Sequence, residues 1–531
     1  MAAEPYDVAI IGYGPGAQCL TALLARAGRR VVAFERYPHL HNLPRAGHID
    51  HEAMRLVQGL GDADAFARTL WEVREEYRWL NAAGEVLMLQ PAHTAGEGVS
   101  GWWSDYTQWQ PNLETILDGA ARSAGAEVRL GWQAVGLDQS SDGVQLVVER
   151  TELDAEGRPA LTGERREIRA RYAVGADGAG SFVRDALGIE REDLGADQRW
   201  LDVDMRTLRT IRFTPNIGQI CDPARPRMLM PLGATHRRFE WMLLPHESID
   251  EMERPQTAWK LLEEFGVTPE THEIVRQVVY TFQAKIAERW RVGNVFLAGD
   301  AAHTMPPFAG QGLLSSLRDS SNLAWKLDLV LSGRAPDCLL DSYESERRPH
   351  VLAWTAISLA EGQVSCELDP ERAAERDRRM LAGERPVPPV MPTLGPGAFQ
   401  HDPDGFIGSL GLQAPVAVPQ GIGKFDDVFG PRRWTLLVRG GTPGEQLDAA
   451  DRQILTEIDA VAVEVLPPRS AAREGAIVDV EGRYGSWLSE HGAAAVLTRP
   501  DFAVFGAAAE LGDLPQLIGS LDRCLRGARV A

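Results

Sequence analysis

Residues 295–319 read VFLAGDAAHTMPPFAGQGLLSSLRD, and the rest of the chain is organised around them. Val295 to Ala298 form a short, wholly apolar run, the pattern of a strand buried on both faces. Gly299 and Asp300 end it. A loop rich in proline and glycine follows, Met305 to Gly312, and then a helical pattern from Leu313 to Leu331. An acid at a strand end, facing a loop rich in free N–H groups that opens a helix, suits a polyhydroxylated, phosphorylated cofactor. Asp300 can accept from sugar hydroxyls, while the helix N-terminus and the glycine N–H groups face phosphate. A strand–turn–helix with a capping Asp would explain the GD pair alone. It does not explain the longer string GDAAHxMPPFAGQGxxSxxRD.

Two further stretches share this strand–acid–glycine logic. Tyr6 to Ile11 is a buried parallel-strand pattern, and Gly12-Tyr13-Gly14-Pro15-Gly16-Ala17 follows it. This is GxGxxA, a permitted form of the dinucleotide fingerprint. Gly12 allows the tight turn, Gly14 lets backbone approach a pyrophosphate, and Ala17 is small enough for the helix to pack on the sheet. The helix runs to Ala27 and Gly28 closes it. Val31 to Phe34 is the second strand. Glu35 ends it about 20 residues after the glycines, where an acid bonds a ribose; Arg36 comes next. Later, Ala173 to Arg184 reads AVGADGAGSFVR, again a strand, an acid (Asp177), a glycine and a helix.

At 531 residues the chain is too long for one ordinary core, so two or three domains are expected. A net charge of −20 and the lack of a basic run disfavour nucleic acid as a partner. The five cysteines are scattered, without CxxC, so neither a disulfide framework nor a zinc site is implied and no metal is expected. No apolar run reaches membrane-spanning length. The first residues enter a strand without an h-region, so no signal peptide is expected and the predicted location is cytoplasmic.

Between the fingerprints the chain offers candidates whose readings stay open. In Pro44-Arg45-Ala46-Gly47-His48-Ile49-Asp50, Arg45 is either a surface arginine or a buried one. His48 and Asp50 are either solvated loop groups or groups at the reacting centre. Trp102, Trp103, Tyr106 and Trp109 form an aromatic cluster that lines a pocket or packs a core. Gln110 stands at the entrance of a helix, as a cap or as a ligand-bonding group. Residues 199–245 alternate like an antiparallel sheet, with Met228, Met230, Phe239 and Trp241 on it, and this inserted sheet is the expected substrate platform. Leu340 to Ile357 is a second amphipathic helix. Residues 368–430 show weak periodicity, and from Arg433 an α/β pattern restarts in a thioredoxin-like order without its cysteines.

GYGPGA at 12–17, DGAGSFVR at 177–184 and GDAAHTMPPFAGQG at 299–312 together resemble the single-component FAD-dependent aromatic hydroxylases, the p-hydroxybenzoate hydroxylase-like group. PRAGHID (44–50), QPNLE (110–114), DPARP (222–226), RRFEWMLLP (237–245), ERPQTAWKLL (253–262) and NLAWKLDLVLSG (322–333) extend the resemblance toward 3-(3-hydroxyphenyl)propionate hydroxylases. It implies an α/β protein with a Rossmann-like FAD-binding domain (1–75, 105–190 and 285–360) and an inserted antiparallel-sheet substrate domain (76–104 and 191–284). A linker or wrapping segment (361–430) and a C-terminal thioredoxin-like domain (431–531) complete it, the last serving packing or a homodimer.

The implied reaction uses O2 and NADH or NADPH, which docks without a Rossmann domain of its own. It hydroxylates a phenolic ring, expected to be that of a 3-(3-hydroxyphenyl)propionate-like substrate, through a C4a-hydroperoxide of the flavin. By motif, Gly12, Gly14, Ala17, Glu35, Arg36, Arg45, Gln110, Asp177, Asp300, Pro307, Gly310, Gln311 and Gly312 hold FAD. Pro306 lies at the flavin ring, His48, Asp50 and Tyr106 are candidates at the reacting hydroxyl, and Trp103, Met228, Met230, Phe239 and Trp241 are pocket candidates. A carboxylated substrate requires Arg225, Arg227, Arg237 or Arg238 to point inward. If none does, a neutral phenol or a polycyclic aromatic of the polyketide type is the better reading. No WxWxIP stretch supports a flavin halogenase. An FAD-binding protein without productive oxygen chemistry is the remaining alternative.

Overall fold

The computed structural model describes residues 4–89, 96–384, 391–400 and 405–527. Its first layer is a parallel sheet in the order Glu127–Leu130, Val31–Glu35, Tyr6–Ile11, Pro159–Gly175, Val295–Leu297. The central strands are buried on both faces, which is why they read as continuous apolar runs. All three acid-ended strands therefore finish at one sheet edge. Helix Pro15–Arg26 packs directly on helix Gly312–Leu331. Gly16 makes that approach possible: a Cβ there would collide with Ser316 Oγ, and the Gly16 carbonyl accepts from Ser320 Oγ at 2.7 Å.

A second sheet gathers seven strands from two parts of the chain. Its order is His272–Thr281, Arg199–Thr207, His236–Met242, Arg227–Leu232, Gly218–Cys221, Arg78–Asn81, Val86–Leu89. Period-2 alternation gives it two unlike faces. Leu201, Val203, Leu229, Phe239 and Trp241 face outward and are buried under helices Ile249–Met252 and Pro255–Leu262. Asp202, Asp204, Met228, Met230, Arg238 and Glu240 fall on the other face. The expectation that Phe239 and Trp241 line a substrate pocket is thus corrected. The apolar members of the alternation are covered by helices, and the polar members look inward.

The C-terminal sheet has Thr435–Arg439 parallel to Val461–Leu466 and antiparallel to Ala495–Thr498, with Val504–Ala508 at the edge. That is the thioredoxin-like order. Pro415–Val418, within the stretch read as linker, pairs with Ala476–Asp479 and extends this sheet. The second amphipathic helix also outruns its sequence pattern, spanning Ser342–Ser365. Its last two turns matter below.

Candidate active site

A cavity of about 950 Å³ lies between the two sheets. The Met305–Leu313 loop, the Arg45–His48 segment, the inward face of the second sheet and helix Ser342–Ser365 border it.

At the edge of the parallel sheet the residues fit a dinucleotide. Gly12 has φ +91°, and a Cβ there would collide with the Ala176 carbonyl, beside Asp177. Gly14 caps helix Pro15–Arg26, and a Cβ on it would meet nothing within 4 Å. The open space at that helix N-terminus is where a diphosphate would be held. Ala17 is buried in the helix. Glu35 accepts from Tyr13 N at 3.0 Å and Tyr37 N at 3.1 Å, which fixes its carboxylate at the strand end. Arg36 is exposed, its guanidinium over the Tyr37 ring. Asp177 accepts from Ser181 Oγ at 2.5 Å and Val183 N at 3.2 Å; burial raises its pKa against those bonds.

Asp300 is exposed on the cavity and makes no hydrogen bond or ion pair to the described residues, as a group reserved for a ligand would. Arg45, Pro307, Gly310, Gln311 and Gly312 border the cavity with it. Gln110 behaves differently. It is buried, its Oε1 accepts from Ala46 N at 2.8 Å, and its Nε2 donates to Glu114 Oε1 at 2.6 Å. It braces the Arg45–Gly47 backbone rather than presenting its amide to the cavity.

His48 is on the cavity wall, with Nε2 2.7 Å from Asp105 Oδ1 and Nδ1 3.3 Å from the Gly310 carbonyl. Burial works to lower its pKa, but the hydrogen bond and charge of Asp105, the charge of Asp50 and the Gly310 carbonyl leave it raised. Asp50 is committed. It caps helix His51–Gln58 through Ala53 N at 2.9 Å and accepts from Arg318 Nη2 at 2.5 Å. Tyr106 is buried away from the cavity, its oxygen accepting from Trp103 N at 2.9 Å. Burial pushes its hydroxyl up to about 12. Trp103 donates to the Val73 carbonyl and packs against Arg74, so both aromatics brace a loop. Neither lines the cavity, and their expected roles are corrected accordingly. Pro306 does line it, its carbonyl accepting from Ser358 Oγ at 2.7 Å.

The second-sheet side of the cavity is carboxylate-rich. Arg238 is held by Asp204 through paired contacts of 2.7 and 3.0 Å, with Asp202 at 3.4 Å and Glu240 at 3.5 Å. Burial, only partly offset by Arg238, pushes Glu240 up to about 7. The other arginines considered for a substrate carboxylate are spent elsewhere. Arg225 pairs with Glu247, Arg227 with Asp222 and Glu264, and Arg237 with Asn216 over the Phe213 ring. Glu361, on the last two turns of helix Ser342–Ser365, also lines the cavity, and burial raises it to about 8. Asp105, Glu240 and Glu361 escaped sequence reasoning. The signal for Glu361 was there, since Trp354, Ile357 and Glu361 sit at i, i+3 and i+7, an acid on an apolar stripe.

Residues 5–358 match the family model described as FAD binding domain, and residues 408–523 match the HcaD C-terminal domain. The chain is 37% identical over 521 residues to the "Probable NADH-specific resorcinol 4-hydroxylase" of Rhodococcus jostii (strain RHA1), covering 97% of this chain and 94% of that one. It is 32% identical to 3-(3-hydroxy-phenyl)propionate/3-hydroxycinnamic acid hydroxylase 2 of Burkholderia vietnamiensis (strain G4 / LMG 22486), over 93% and 92% of the two chains. Among solved structures, aklavinone-11 hydroxylase with FAD and aklavinone superposes with a TM-score of 0.76 at 26% identity, over 99% of this chain and all of that one.

Proposed function

The chain belongs to the FAD-binding-domain family and is an FAD-dependent aromatic hydroxylase, and from that premise we propose that it hydroxylates a small, uncharged phenol of the resorcinol class with NADH as reductant. One observation carries the choice of substrate. The four arginines weighed for a substrate carboxylate are all engaged within the protein, and the one that lines the cavity is Arg238. Arg238 is outnumbered there by Asp202, Asp204 and Glu240. Arg45, which the resemblance assigns to FAD, makes no ion pair to the described residues, and its backbone carbonyl accepts from Arg238 Nη1 at 2.7 Å. A ring bearing a carboxylate would find the Arg238 guanidinium already taken by Asp204. The resorcinol hydroxylase named above supports the same class and the choice of NADH.

Bound FAD supplies the oxygen-activating chemistry. Gly12, Gly14, Glu35, Asp177, Asp300 and the 305–312 loop would hold it. The chain's own contribution to the ring chemistry is proton handling and exclusion of water. His48 takes the phenolic proton at Nδ1, and Asp105 holds the ring and stabilises the resulting charge. Loss of that proton leaves the aromatic ring more electron-rich. Met228, Met230 and Phe308 make the apolar wall that keeps water from the reacting centre. Incubating the FAD-loaded enzyme with NADH and resorcinol tests the proposal. A product heavier by one oxygen is expected, with no oxygenated product from 3-(3-hydroxyphenyl)propionate. The opposite preference would sink the reading.

A further inference from the structure

We propose that Glu240 and Glu361, with Tyr77 near both, form the recognition site for a second, uncharged hydroxyl of the substrate, and that this cluster is what turns carboxylated rings away. The inference rests on the neutral-phenol reading and adds the residues that enforce it.

The two acids come from different walls of one cavity. Glu240 is on strand His236–Met242, opposite Met228 and Asp202 in register, and Glu361 is on helix Ser342–Ser365. Both are close enough to Tyr77 to disturb its hydroxyl electrostatically. Gln219 ties the group together. It hydrogen-bonds Tyr77 and accepts from Ser365 Oγ at 3.1 Å, which locks the helix that carries Glu361 to the sheet that carries Glu240. The surrounding wall is apolar: Ile217, Met228, Met230 and Phe308. This polar corner of the cavity is braced by the sheet–helix contact through Gln219.

Its chemistry selects for a hydroxyl. Burial keeps a proton on both acids into the neutral range, so each can donate one hydrogen bond and accept another. A phenolic O–H does the same. A site built to bond a hydroxyl discriminates against an analogue that lacks one, because its polar groups lose their partner. A carboxylate at that point would leave water for an apolar wall and two neutral acids, with the Arg238 guanidinium already taken by Asp204.

The test measures Kd by calorimetry for resorcinol and 3-methoxyphenol, and product formation from 3-(3-hydroxyphenyl)propionate, with FAD-loaded wild type and Glu361→Gln, Glu361→Leu, Glu361→Arg and Glu240→Gln. Wild type is expected to bind resorcinol at least about tenfold more tightly than 3-methoxyphenol. Glu361→Gln, which keeps a donor and an acceptor, should hold most of that ratio, and Glu361→Leu should erase it. Should Glu361→Leu fail to retain FAD, Glu361→Arg carries the test. Its expected gain of oxygenated propionate product is something a misfolded protein cannot give. An unchanged ratio in Glu361→Leu together with no propionate product from Glu361→Arg overturns the inference while leaving the resorcinol reading intact. Wild type that oxygenates the propionate and not resorcinol overturns that reading itself.

Discussion

His48 is where proton chemistry and geometry meet. Its raised pKa means the neutral ring, the form able to take a phenolic proton, is lost as pH falls through a value above the usual 6.5. The acid limb of kcat should therefore sit above that value. Asp105→Asn, which removes the carboxylate that raises it, should move the limb to lower pH. His48→Asn should abolish the limb and cost roughly 100-fold in kcat; a pH–rate profile that keeps its limb in that variant contradicts the role. Glu361 gives a second pH signature, this time in stability. Folded, it holds its proton up to about pH 8, against 4.5 in the unfolded chain. Its stabilising share is complete below pH 4.5 and lost as pH rises toward 8. Thermal melts of Glu361→Gln should be flatter across that window. Glu361 left a trace in the sequence as an acid on an apolar helical stripe, but Glu240 was not legible as a cavity group. Alternation in RRFEWM shows that Arg238 and Glu240 share one face and Phe239 and Trp241 the other. It does not say which face a helix covers, and Pro255–Leu262 decides that through contacts distant in the chain.

At the level of elements, helix Ser342–Ser365 is the support of the Met305–Gly312 loop. Ser358 Oγ donates to the Pro306 carbonyl at 2.7 Å and lies 3.3 Å from Ala309 N. Gly362 leaves room for Phe308, since a Cβ there would sit 2.7 Å from the ring's Cε2. Gly362→Ala should push Phe308 into the substrate cavity, at a cost of about 1–3 kcal/mol in packing. The expected outcome is weaker substrate binding and more NADH consumed per product formed, read by comparing NADH oxidation with product yield. The three strand–acid–glycine turns were readable because each needs a backbone shape that few residues allow. Gly12 at φ +91° is the clearest case. Gly12→Ala should lose FAD retention, checked by the flavin absorbance of the purified protein. Gln110 was not readable in this way. A helix-entry glutamine has the same sequence signature whether it bonds a cofactor or, as here, the Ala46 backbone.

Across the whole molecule, the C-terminal domain is keyed to the FAD domain by buried charge. Arg499 contacts Glu346 at 2.9 Å and is paired with Asp501, and Lys326 reaches the same Glu346 at 2.8 Å. Burial opposes the Glu346 charge, but Arg499 and Lys326 bring its pKa down to about 2. That share of stability is present above pH 4.5 and lost as pH falls toward 2. Glu346→Gln leaves two buried cations short of a partner and should cost about 3–5 kcal/mol in denaturant unfolding. A loss below about 1 kcal/mol would show that the charges are solvated in the native state. The parallel sheet and the thioredoxin-like order were visible as local patterns. This junction was not, because Arg499 meets the Lys326–Glu346 pair only when the domains dock.

The same assembly closes the cavity in which the substrate claim is made. The most direct measurement is the mass of the product from the FAD-loaded wild-type enzyme given NADH, O2 and equal concentrations of resorcinol and 3-(3-hydroxyphenyl)propionate. Addition of one oxygen to resorcinol alone is the expected result. Addition to the propionate alone would contradict it, and would mean that a cation reaches the ring's side chain in a way the carboxylate-rich wall does not permit.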